Sequence, residues 1–297
     1  MTAQPELIIE SQALQGECPC WHQEKQLLYW VDVEGKQLHV YQPETKTNRT
    51  IELGKLVGCV VPRKSGGVVL GLENGFAALD LETEKLTYLA TPESDLPSNR
   101  FNDGKCDPAG RFLAGTMHRD QDEEAAKEAG SLYSLDRNLT VRRLLGDLTV
   151  SNGMGWSPDY STMYLIDSPT KNVFAFDYDL KTGNISNRRV VVTIPDASGG
   201  YPDGMAIDQE GMIWVALWAG FKITRWNPHT GELLQSISIP APNVTSCTFG
   251  GLNMNELYIT TARKDMDEAA LAQYPQAGGV FWLKTDVVGL KNFEFIG

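Results

Sequence analysis

Long apolar runs are absent from this chain of 297 residues. No segment approaches the roughly 18 apolar residues that a bilayer-spanning helix needs. Positive charge is scarce: 26 Lys and Arg stand against 38 Asp and Glu, a formal net charge of −12. Nucleic acid and anionic membranes both call for clustered Lys and Arg, so neither is expected as a partner. Histidine is rare, and His22, His39, His118 and His229 show no pairing with carboxylates; only His118 leaves a strand near the site described below. Cysteine is sparse and dispersed. Cys18, Cys20, Cys59, Cys106 and Cys247 are odd in number, and Cys18-Pro19-Cys20 is too close for an easy disulfide and lacks the C-x2-C zinc spacing. They read as reduced, mostly buried thiols. The N-terminal Met1-Thr2-Ala3-Gln4-Pro5-Glu6 lacks the basic and apolar regions of a signal peptide, so a cytoplasmic protein is expected. No G-x-S-x-G, H-E-x-x-H or phosphate-cradling glycine loop is present. With 28 Gly and 15 Pro, the chain is rich enough in turn formers for many short strands and too poor for collagen or low-complexity disorder.

What is present is a repeat. The strand-like segments Leu28-Tyr29-Trp30-Val31-Asp32, Val68-Val69-Leu70-Gly71-Leu72, Phe112-Leu113-Ala114-Gly115, Met163-Tyr164-Leu165-Ile166-Asp167, Ile213-Trp214-Val215-Ala216 and Leu257-Tyr258-Ile259-Thr260 recur along the chain. Aligned on Tyr29, Val69, Phe112, Tyr164, Ile213 and Tyr258, they lie 40, 43, 52, 49 and 45 residues apart. In most units a second alternating run, a polar turn and a third strand follow, as in Val173-Phe174-Ala175-Phe176 and Asp179-Leu180-Lys181-Thr182-Gly183. A period of this length with about four strands predicts an all-β, six-bladed β-propeller, with residues 1–297 as one domain. Leu7-Ile8-Ile9 is expected to pair with Phe293-Glu294-Phe295 and close the ring. Two stretches, 120–129 and 266–273, look helical and are expected as insertions over one face. Tryptophans are expected mainly in the core, with Trp218 and Phe221 as candidates for a pocket wall.

One phase of the repeat carries chemistry. About 10–12 residues before each anchor stand Gly16-Glu17-Cys18-Pro19, Val57-Gly58-Cys59, Asn102-Asp103-Gly104, Ser151-Asn152-Gly153, Pro202-Asp203-Gly204 and Thr245-Ser246-Cys247. Equal phase in a propeller means equal height around the central channel. Glu17, Asn102 or Asp103, Asn152 and Asp203 therefore converge at one mouth. A hard divalent cation takes such a set of carboxylate and amide oxygens. Two carboxylates and an amide carry a formal charge of −2 that a cation offsets. The glycines after Asp103, Asn152 and Asp203 are read as permitting tight backbone turns. Asn-Gly and Asp-Gly alone are ordinary turn dipeptides; three of them in phase, joined by Glu17, favour a site. Most other carboxylates, such as Glu82, Glu84, Asp122, Glu123 and Glu124, are expected to solvate turns and insertions.

The segment Ser98-Asn99-Arg100-Phe101-Asn102-Asp103-Gly104-Lys105-Cys106-Asp107-Pro108-Ala109-Gly110-Arg111-Phe112-Leu113-Ala114-Gly115-Thr116-Met117 resembles the family of regucalcin (senescence marker protein), gluconolactonase and luciferin-regenerating enzyme. So do Gly16-Glu17, Ser151-Asn152-Gly153-Met154-Gly155-Trp156-Ser157, Phe176-Asp177-Tyr178-Asp179, Pro202-Asp203-Gly204-Met205 and Ala277-Gly278-Gly279-Val280-Phe281. The resemblance implies a metal-dependent hydrolase that opens sugar lactones to aldonic acids. It implies one divalent metal ion (Ca, Zn, Mn or Mg) bound by Glu17, Asn152 and Asp203. Asp203 would also shuttle the proton, and Arg100, Asn102 and Asp120 would bind a small-molecule sugar lactone. No obligate protein partner is expected. Two other readings keep the same site: a calcium-binding regulatory propeller, and a promiscuous esterase or organophosphate hydrolase.

Overall fold

Six four-stranded antiparallel sheets follow one another around a ring in the computed structural model, which describes residues 4–121 and 124–297. Blade I runs from Gly16 to Glu52, blade II from Val57 to Ala90, blade III from Asn99 to Leu148, blade IV from Ser151 to Thr193, blade V from Tyr201 to Ser238 and blade VI from Asn243 to Lys284. The first strands of successive blades pack against one another around the ring. They are buried almost throughout, from Gly16–His22 to Asn243–Gly250. The fourth strands, such as Thr47–Glu52 and Asn184–Thr193, are mostly exposed. Inner strands are thus buried on both faces, polar site residues included, whereas outer strands are largely open to solvent.

Apolar side chains fill the wedges between blades. Phe76 meets Phe101 and Phe112 at ring distances of 4.5 and 5.4 Å, and Trp214 meets Phe249 edge-on at 5.5 Å. Trp21, Trp30, Trp156, Trp214 and Trp226 are buried, as expected, and so are all five cysteines, which are free. Tight turns repeat between the first two strands of blades III and V. In Asp107-Pro108-Ala109-Gly110-Arg111 the aspartate accepts the Ala109 and Arg111 N–H groups; in Asp208-Gln209-Glu210-Gly211-Met212 it accepts those of Glu210 and Met212. Gly110 and Gly211 both adopt φ +80, the left-handed region that glycine enters without strain.

The ring closes differently from the sequence expectation. Glu6–Ile9 pairs with Val280–Lys284 (Glu6 with Trp282, Leu7 with Phe281) and becomes the outer strand of blade VI. That blade's third strand would otherwise be an open edge, and Leu7, Ile8 and Ile9 pack on its apolar cluster. Phe293-Glu294-Phe295 belongs instead to a tail crossing the ends of the inner strands. The tail bonds to Ile207 through Leu290 N–H, to Pro62 through Phe295 N–H and to Gly110 through Ile296 N–H. Phe295 is fully buried there. The tail covers the channel at its lower end.

The two expected helical insertions are shorter than predicted. The first holds a 3-10 turn at Glu124–Ala126, and Asp122 and Glu123 lie outside the described residues. The second holds a helix at Glu268–Gln273, started by Asp267, whose carboxylate accepts the Ala270 N–H at 2.8 Å. Glu82, Glu84 and Glu124 are exposed, as expected of solvating charges. Among the described residues no helix is long and apolar enough to cross a membrane.

His39 shows how tightly blade I is packed. Its ring stacks on Trp30 at 3.8 Å, and its Nδ1 lies 3.1 Å from both the Asn48 amide and the Thr50 hydroxyl. Burial lowers its pKa from 6.5 to about 4. The unfolded imidazole takes up a proton below about pH 6.5 while the folded one resists to about 4, so His39 favours folding above pH 6.5 and opposes it progressively as pH falls toward 4. The expected cost at pH 5 is about 2 kcal/mol. Urea unfolding at pH 7 and pH 5 checks this: His39→Gln should lose less stability on acidification than the wild type by about that amount. An equal loss in both proteins would refute the assignment.

Candidate active site

Each inner strand slips register against its neighbour once, at the same level in all six blades. The slips lie between Glu17 and Cys20, Val57 and Cys59, Phe101 and Gly104, Ser151 and Met154, Pro202 and Met205, and Val244 and Ser246. A bulge adds a residue on one strand and re-aims its side chains. Glu17, Asn102, Asn152 and Asp203 occupy these bulges or their edges, and all four line one cavity of about 670 Å³ at the upper mouth of the channel. Arg100 and Asp120 line it as well. Asp103 does not; it is buried and its carboxylate accepts the Gly104 N–H at 2.7 Å. His118 stays outside the lining, with its Nδ1 against the Asp120 backbone.

The glycines beside these residues do different work from that expected of them. Gly104, Gly153 and Gly204 lie inside strands and none takes a positive φ. They are required by close approach. A Cβ on Gly153 would stand 2.6 Å from the Asp203 carbonyl oxygen, and one on Gly204 would stand 2.0 Å from the Ser246 hydroxyl. The same crowding explains Gly58 in blade II, whose Cβ would meet the Asn102 carbonyl oxygen at 2.3 Å.

Side chains from neighbouring strands hold the site residues in place. At the end of the second strand of blade I, Asp32 accepts the N–H groups of Leu14 and Gln15 at 2.9 Å, fixing the segment that enters Glu17. Asp167 does the same in blade IV, accepting Val150 N–H at 2.9 Å just before Asn152. The next residue, Ser168, accepts a bond from the Asn152 amide nitrogen at 3.1 Å, which turns the amide oxygen Oδ1 toward the cavity floor. Asn102 is anchored at both ends: its amide donates to the Ser151 carbonyl at 3.0 Å and its oxygen accepts Arg100 Nη1 at 2.7 Å. Arg100 also donates to the Phe101 carbonyl and is buried. Its two bonds go to Asn102 and the Phe101 carbonyl rather than to the Asp103 carboxylate. Asp32, Asp167 and Ser168 were not singled out from sequence. The common signal was an aspartate ending the second strand of blades I and IV.

The electrostatics of the floor are unbalanced. Glu17 and Asp203 are both buried. Burial, then the charge of Asp103, pushes the Glu17 carboxyl up to about 8 against the opposing Cys18 N–H and Arg100. Asp203 is raised well above the carboxylate range by burial first, then by Glu17 and Asp103. Asn152 Oδ1 and Asp203 Oδ1 are buried with no hydrogen-bond partner among the described residues. Such orphaned oxygens are costly without a partner. Two crowded carboxylates with two bare oxygens suit a hard divalent cation with oxygen ligands and water. Among the described residues no three His, Cys, Asp or Glu side chains cluster as a metal site.

Three comparisons bear on this site. Residues 15–263 match the family described as SMP-30/Gluconolactonase/LRE-like region. Regucalcin of Xenopus laevis is 41% identical over 93% of this chain and 92% of its own length. The YvrE protein of Bacillus subtilis, provisionally named a sugar lactone lactonase, is 37% identical over 97% of both chains. A solved structure of regucalcin from Agrobacterium tumefaciens, described as a calcium-binding protein, superposes with a TM-score of 0.92 at 26% identity, covering 99% of this chain and 97% of its own.

Ser168 provides a test that needs no substrate. Ser168→Ala frees the Asn152 amide to rotate, so calorimetric affinity for Ca²⁺ or Mn²⁺ should fall about tenfold while the melting temperature stays within a few degrees. Unchanged affinity would mean that the amide is oriented without this bond.

Proposed function

This chain belongs to the SMP-30/gluconolactonase/LRE-like family, and from that premise we propose that it hydrolyses sugar lactones to aldonic acids, with one divalent cation held by Glu17, Asn152 and Asp203. The observation that carries the reading is the pair of buried carboxylates with bare Asn152 and Asp203 oxygens on the floor of a polar cavity. The relatives named for regucalcin and lactonase activity support it.

Lactone opening needs a polarised carbonyl, a water nucleophile and a place for its proton. Glu17, Asn152 and Asp203 would hold the cation at the floor, and when bound it would supply Lewis acidity for the lactone carbonyl. Asp203 accepts the proton of the attacking water and returns it to the departing ring oxygen. Glu17, buried on the same floor, completes the oxygen set. Arg100 is held rigid by Asn102 and Phe101, so its remaining N–H groups present a fixed fork to lactone or hydroxyl oxygens. Asn102 keeps one amide hydrogen for the same purpose. Asp120, on the rim, accepts hydroxyl hydrogens from the sugar.

The experiment is hydrolysis of gluconolactone and pentonolactones after chelation and re-addition of Ca²⁺, Mg²⁺, Mn²⁺ or Zn²⁺ singly. Chelation should abolish turnover and at least one cation should restore it. Asp203→Asn should lower kcat about a thousandfold with the fold intact. Full activity in chelator, or in that variant, would sink the reading.

A further inference from the structure

The cavity extends well beyond its floor. A space of about 670 Å³ lies in the range that accepts drug-sized ligands and exceeds what one sugar ring fills. Glu17, Asn152, Asp203 and Arg100 are buried at its base, whereas Tyr201 on its wall is 47% exposed and Trp218 beside it is half-buried. Tyr201 and Trp218 are direct cross-strand partners at the upper end of blade V. Tyr201 precedes Asp203 by two residues, about 7 Å along an extended strand. That puts the wall within reach of a ring adjoining one bound at the floor.

Neither ring is used up by the protein. Lys171, itself paired with Asp196 at 2.6 Å, covers one face of Tyr201 with its ammonium 4.8 Å from the ring centre. Much of the remaining surface stays open. Five of the seven tryptophans donate their indole N–H to Gln23, Asn48, Asp208, Thr224 or Glu256. Trp156 is buried. Trp218 lines the cavity, and its indole N–H has no partner among the described residues. Gln121, Lys264 and Asp265 line the same cavity. Lys264 is steadied by Glu34 at 2.9 Å. Aromatic faces stack on the C–H face of a pyranose, while an indole N–H, an amide and a carboxylate bind its hydroxyls. A purely apolar ligand would leave those polar groups unpaired.

We infer that Tyr201 and Trp218 form a second sugar subsite, so that the preferred substrate is an aldonolactone carrying a further glycosyl residue. This rests on the lactonase reading of the floor and extends it to the wall. No new chemical step is involved: the distal ring binds and the lactone ring opens as described above. Phe221, the other aromatic candidate from the sequence, is not part of this wall; it stacks edge-on against Tyr274 at 5.1 Å, under the second insertion.

The test compares gluconolactone with maltobionolactone and cellobionolactone on the metal-loaded protein. At least one disaccharide lactone should show kcat/KM about tenfold above gluconolactone. Trp218→Ala and Tyr201→Ala should erase that preference, mainly through a higher KM for the disaccharide lactone. Both variants are made, and their melting temperatures are compared with the wild type to separate loss of the subsite from loss of the fold. A second readout is calorimetric binding of the open-chain acids, maltobionate and cellobionate against gluconate. If gluconolactone is opened and neither disaccharide lactone is preferred, the subsite is overturned and the lactonase reading stands. If no lactone is opened but a disaccharide acid binds tighter than gluconate in a Trp218-dependent way, the subsite stands and the lactonase reading falls. Neither hydrolysis nor binding overturns both.

Discussion

Six inner strands brought within backbone distance of one another are the constraint on which the rest of this protein depends. Glycine at 58, 104, 153 and 204 makes the approach possible, because any side chain there would strike a neighbouring backbone, Ser246 or Cys59. The register slips at one level all round the ring. Those slips point Glu17, Asn152 and Asp203 to the buried floor of one cavity, where solvent screens them less than at the surface.

Crowding two carboxylates in that space opposes folding in the absence of a partner charge, and the burial of the surrounding apolar wedges offsets it. The supporting shell is built to hold the arrangement regardless. Asp32 and Asp167 clamp the segments entering Glu17 and Asn152, Ser168 fixes the Asn152 amide, and Arg100 and Asn102 lock each other. The covalent ends of the chain serve the same purpose at a distance. Residues 6–9 complete blade VI, and the C-terminal tail covers the lower end of the channel. The cavity therefore opens at the face that carries both insertions, where Asp120, Gln121, Lys264 and Asp265 meet it.

The net charge of −12 says little about this chemistry. Glu82, Glu84 and Glu124 are exposed and solvate turns, whereas the cavity floor holds Glu17 and Asp203 with an amide that carries no charge. Charge position, set by the fold, matters more here than charge total.

Much of the architecture was legible in the sequence, because propeller blades are local. Each hairpin is specified by alternation and turn residues close together in the chain, so period, blade number and the common phase of Glu17, Asn102, Asn152 and Asp203 could be read directly. What depends on residues far apart could not. Leu7 finding Phe281 rather than Phe293, Asp103 falling beneath the cavity instead of lining it, and Ser168 holding Asn152 are decided by how blades pack. The strand glycines were misjudged for the same reason: a sequence shows that a residue lacks a side chain, but not which neighbouring backbone occupies the space. Sequence alone determined the six-fold repeat and the level at which its polar residues converge. The tertiary structure decided which of them share one cavity, because burial and orientation come from the blades on either side.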